Sequence, residues 1–79
     1  MKDKGVIVYW IDESLSVQTR IISPYQLKRG HSYESEASWI TSDSKHVEII
    51  RIERAGNAEE LDRVQRLKDT ALALRTQPD

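Results

Sequence analysis

Seventy-nine residues, with 12 Lys and Arg against 13 Asp and Glu and a formal net charge of −1, make one small domain without a global field to draw it onto a polyanion. The absence of cysteine excludes disulfide staples, thiolate zinc sites and a cysteine nucleophile, and it accords with a reducing compartment, so the cytoplasm is the expected location. No apolar run approaches the roughly 20 residues that span a bilayer, and the first one runs straight into Asp12 and Glu13, unlike a signal peptide, so no membrane partner is expected.

In chain order, Gly5 to Ile11 is the most apolar stretch, with six consecutive aliphatic or aromatic residues of which four are β-branched. Such side chains suit a pleated surface, and a run that is apolar on both faces predicts a central strand. Asp12-Glu13-Ser14 reads as a turn, because acidic and hydroxyl side chains bond their own backbone. Leu15 to Ser23 then alternates, with Leu15, Val17, Thr19 and Ile21 on one face and Ser16, Gln18, Arg20 and Ile22 on the other, which predicts the second arm of an antiparallel hairpin. Pro24 ends that arm, and Ser23 to Gly30 reads as a loop that carries Lys28 and Arg29.

His31 to Thr41 resumes alternation: Tyr33, Ser35, Ala37 and Trp39 against Glu34, Glu36, Ser38 and Ile40, which predicts a third strand. A turn at Ser42-Asp43-Ser44-Lys45 leads to a fourth, His46 to Glu53. Ala55-Gly56-Asn57 breaks the pattern, and Asn57 with Glu60 three residues on reads as a helix N-cap. Beyond it Leu61, Val64, Leu67, Ala71 and Leu74 recur at helical spacing, so a helix of about 18 residues with one apolar stripe is predicted. Glu59 with Arg63 and Asp62 with Arg66 stand in the favourable order for ion pairs, and Thr76 to Asp79 should fray. The expected fold is therefore α+β, one domain over residues 1–79. A β module over 5–53, four to five antiparallel strands curled into a small SH3-like barrel, carries a C-terminal helix over 57–75 that covers one opening.

Three pieces of this pattern resemble the WYL domain, a small SH3-like or Sm-like barrel of bacterial transcription regulators and phage-defence proteins. Val6 to Tyr9 stands for an apolar strand ending near a tyrosine; Arg20, Ile22, Pro24 and Leu27 complete an R-x-I-x-P-x-x-L pattern; Val47, Arg51 and Ile52 match the closing strand. The tripeptide that names the family falls at Ser32, Tyr33 and Glu34, where only the tyrosine is kept, and the helix-turn-helix that usually precedes such a domain is missing. The resemblance implies a non-catalytic sensor that takes a small anionic ligand or single-stranded nucleic acid. Carried over by position, its ligand residues are Arg20, Tyr33 and Arg51, where an arginine fork could clamp a phosphate.

Each residue also has a plainer reading. Arg20 and Arg51 could lie on a solvated face or pair with Glu34, Glu36 or Glu48. Trp39 is the fourth candidate ligand residue, a platform for stacking a base if exposed and core if packed under the helix; Trp10, in the central strand, reads as core. His31 and His46 stand in separate segments without a third ligand, so no metal is expected, and no cofactor. The serines lack a strained glycine elbow, and no catalytic residues are assigned. The alternative function is a small adaptor or phage-type inhibitor that binds a protein partner, or a second copy of itself, through a sheet edge or through the helix flank marked by Leu72.

Overall fold

The computed structural model describes residues 3–42, 44 and 46–76. Strands β1 (Val6–Ile11), β2 (Val17–Ile22) and β3 (Val47–Arg51) form one antiparallel sheet in the order β2-β1-β3. Helix α1 (Tyr33–Thr41) lies between β2 and β3 in the chain, and helix α2 (Ala58–Thr76) follows β3. The fold is thus α+β, with β1 central as its two apolar faces require.

The register explains the layering. Val6, Val8 and Trp10 stand opposite Ile22, Arg20 and Gln18 on one side, and opposite Arg51, Ile49 and Val47 on the other. These side chains share one sheet face, where Val6, Val8, Ile22 and Ala37 of α1 form a buried cluster flanked by Leu27, Tyr33 and Ile40. Ile11 faces the other way, and it packs with Leu67 and Ala71 of α2, with Tyr9, Leu15, Val17 and Leu74 around them. One helix therefore covers each face of a three-stranded sheet, and the core is two thin apolar layers sharing β1.

Two expectations are corrected. The sheet has three strands among the described residues rather than four to five, and it is open: α2 lies across a face instead of closing the mouth of a barrel. The third predicted strand, His31 to Thr41, is helix α1. Ser32 accepts a hydrogen bond from the Ser35 backbone N–H at 3.1 Å, and Glu34 and Glu36 sit in the first turn, where the helix dipole favours acid. Tyr33, Ala37 and Ile40 are spaced four and three apart, so a helix turns all three onto Val6 and Val8, whereas a strand would have put Ile40 on the face opposite Tyr33 and Ala37.

Local chemistry fixes the joints. The β1–β2 turn closes with the Asp12 N–H donating to Ser16 O at 2.9 Å and Leu15 N–H to Asp12 O at 3.0 Å; Leu15 takes a left-handed φ of 64°. The Asp12 carboxylate accepts from Ser14 N–H, Ser14 Oγ, Ser16 N–H and Gln18 Nε2, and these bonds, led by that from Ser16, hold it at about 2, well below its ordinary 3.8. After β2, a single 3-10 turn at Pro24–Gln26 is tied by the Gln26 side chain accepting from Ser23 N–H at 2.8 Å. Asn57 caps α2 by accepting from Glu59 N–H at 2.9 Å.

The stripe of α2 is rotated from the sequence expectation. Glu60, Val64, Leu67 and Ala71 are buried, while Leu61 is 52% exposed at the flank. Glu60 meets Arg63 at 3.5 Å, where Glu59 was the expected partner, and Arg66 meets Asp62 at 3.1 Å as expected. Asp43 and Lys45 of the second predicted turn, and 77–79 of the expected fray, lie outside the described residues.

Candidate functional site

The four candidate ligand residues fall into three places. Arg20 is exposed on edge strand β2, opposite Val8, on the sheet face that α1 shares. Arg51 is on β3, opposite Val6, on the same face but beyond the full width of β1. Strand spacing and rise put the two backbones about 12 Å apart. Helix α1 packs over β1 and β3, so Tyr33 joins Arg51 and not Arg20.

What brings Tyr33 and Arg51 together is Asp3. The Tyr33 hydroxyl donates to Asp3 Oδ2 at 2.7 Å, Gly5 N–H donates to Oδ1 at 2.9 Å, and Arg51 stands 3.7 Å from Oδ1. Hydrogen bonding from Tyr33, then from the Gly5 backbone, holds the Asp3 carboxyl below its ordinary range, with the Arg51 charge adding to it. Desolvation, followed by the hydrogen bond to Asp3, pushes the Tyr33 phenol up to about 12. Arg51 thus has a carboxylate beside it, which offsets the charge an anionic ligand would seek. Asp3 stood in a polar lead-in with no periodicity, so nothing local in the sequence marked it.

Trp39 sits apart from that cluster. It is 80% exposed on the outer side of α1, and it lines a shallow groove of about 300 Å³ with Lys28, His31 and Glu36. The turn in which His31 N–H donates to Lys28 O at 2.9 Å swings the basic loop back toward α1, and His31 Nδ1 lies 3.3 Å from Glu36 Oε1. An open indole face can stack a flat ring, and a lysine lining the same groove can attract its charge. Lys28 and His31 were legible as surface residues; their meeting with Trp39 depends on the helical course of 33–41.

A second cleft, about 390 Å³, opens at the far end of β1 between Trp10, Ile11, Asp12, Glu13, Thr41, Ser42 and Ser44. Trp10 is half-buried there and packs against the first cluster. Ser44 Oγ donates to Ile11 O at 3.3 Å, and Thr41 Oγ1 donates to Ala37 O at 2.8 Å. Those hydroxyls and the Asp12 carboxylate are occupied in holding loops rather than presented to a ligand.

Among the described residues no three His, Cys, Asp or Glu side chains gather as a metal site, and no helix is long and apolar enough to cross a membrane. Comparison with protein-family models, curated proteins and solved structures finds no match to this chain.

Proposed function

We propose that this protein is a non-catalytic binding module whose groove of Lys28, His31, Glu36 and Trp39 takes a flat-ringed anionic ligand, single-stranded nucleic acid foremost. The observation that carries the reading is Trp39, 80% exposed and flanked by Lys28 in one groove. Leaving an indole open to water forgoes its apolar burial, and base stacking on such a face is worth about 1 to 3 kcal/mol per base. Arg29 next in the chain is exposed and adds charge for a phosphate backbone. The resemblance to WYL-type sensors supports a regulatory or phage-defence setting in the cytoplasm. Of the four candidate ligand residues the proposed site keeps Trp39 alone; the three that the resemblance implies, Arg20, Tyr33 and Arg51, lie outside it.

A titration with short oligothymidine and oligouridine at several salt concentrations, read by tryptophan fluorescence, tests this. Binding should quench Trp39 and weaken with salt, Trp39→Ala should remove it, and Lys28→Ala should lower the salt slope by roughly one contact. No binding at low salt overturns the nucleic-acid reading.

The second reading is the adaptor. It is favoured by the exposure of Ile21 on edge strand β2 (59%) and of Leu72 on α2 (61%), both apolar surfaces that a protein partner would cover.

A further inference from the structure

We propose that β2 is a self-association seam, where a second copy of this chain pairs antiparallel with it about a two-fold axis through Thr19. The inference stands apart from the ligand groove, which lies beyond the opposite sheet face on the outer side of α1.

Strand β2 is an edge, six residues long, with Arg20 as its only charge and no proline within it. Such an edge offers unpaired backbone N–H and C=O groups to another strand. The side chains decide which strand and which register. Val17, Thr19 and Ile21 face α2, and Gln18, Arg20 and Ile22 face α1. A two-fold normal to the sheet preserves the faces, so it must pass through a residue and not between two.

Only one central residue suits the strand. An axis at Arg20 would set two guanidinium groups against each other. An axis at Gln18 would leave Ile21 beyond the pairing. An axis at Thr19 sets Thr19 against Thr19, Gln18 against Arg20 and Val17 against Ile21 of the second copy. Hydroxyl meets hydroxyl, the arginine meets a neutral acceptor, and Ile21, 59% exposed in one chain, is covered by a half-buried valine. The opposite edge lacks this symmetry. In β3, an axis at Ile49 sets Glu48 against the buried Ile50, and an axis at Glu48 sets two carboxylates together.

Nine apolar residues are buried among the described residues, a small core of the kind that association commonly reinforces. Pairing at β2 would join two three-stranded sheets into one of six strands and turn both open β2 edges into interior strands.

The chain has no cysteine, so a single introduced thiol reports the axis without interference. Light scattering on the full chain should give twice the mass of one chain, and Ile21→Lys should give one chain mass with an unchanged circular dichroism spectrum. On mild oxidation Thr19→Cys should cross-link to a dimer, while Arg20→Cys, displaced from its own copy by two residues in this register, should cross-link far more slowly. A single-chain mass at every concentration overturns the proposal. So does a dimer that Ile21→Lys leaves intact, or equal cross-linking of the two cysteine variants.

Discussion

The Tyr33 hydroxyl donates to Asp3 Oδ2 over 2.7 Å, a bond between residues 30 positions apart that ties the first turn of α1 to the segment leading into β1. Removing it with Tyr33→Phe should lower the thermal midpoint by a few degrees and leave the sheet intact. The folded phenol titrates above its ordinary 10.0, so its contribution is complete below that pH and is lost as pH rises through about 12. Ultraviolet titration should show the Tyr33 phenolate forming near 12 in the native chain, a step that Tyr33→Phe removes.

Asp12 gives the acid-side counterpart. Its carboxyl is held at about 2 by donors from Ser16, Ser14 and Gln18, so the turn it organises is fully supported above about 3.8 and loses that support as pH falls through about 2. Asp12→Asn should weaken the hairpin at neutral pH and flatten the acid limb of the stability curve between those values. Equal acid limbs for the two proteins, followed by circular dichroism in urea, would show that the turn draws nothing from the carboxylate.

Gly5 begins the approach to β1 with a φ of 100°, and a Cβ there would press on the Ile22 carbonyl oxygen and lie 3.1 Å from Ser23 Cα. Backbone cannot give way as a flexible side chain can. Gly5→Ala should therefore cost about 2 to 4 kcal/mol, strain and clash together. Gly30 has a φ of 83° but open space around its Cβ position, so Gly30→Ala should cost only the left-handed term, about 1 to 2 kcal/mol. Denaturant midpoints of the two variants give the comparison.

Helix α2 separates a core leucine from a flanking one. Leu67 is 6% exposed among Ile11 and Ala71, and Leu67→Ala should cost about 2 to 5 kcal/mol. Leu61 is 52% exposed, and Leu61→Ala should stay within about 0.5 to 1 kcal/mol. Urea unfolding of both variants checks the orientation of the helix; equal losses would mean that α2 is turned otherwise.

Much of the chain was legible because local pattern and tertiary environment agree there. Val6 to Ile11 is apolar on both faces and lies between two helices; the hairpin to Val17–Ile22, strand Val47–Arg51 and helix Ala58–Thr76 follow from turn residues, alternation and a 3.6 period. His31 to Thr41 was not legible, because its short pattern fits two periods. Tyr33, Ala37 and Trp39 alternate, but Tyr33, Ala37 and Ile40 also make a helical face. Ser32 capping and the packing of Ala37 on Val6 and Val8 chose the second.

The same choice redrew the candidate site. Arg20 and Arg51 fell on opposite edges of the sheet, Asp3 drew Tyr33 and Arg51 into a surface cluster, and the helix turned Trp39 outward into a groove it shares with Lys28. By itself the sequence determined that this is a small cysteine-free domain with a central apolar strand and an amphipathic C-terminal helix, because those properties are written in composition and period. Which side chains meet was decided by the tertiary structure alone: the bond between residues 3 and 33, and the groove that residues 28 and 39 share, depend on how α1 packs across β1, and no local pattern encodes that placement.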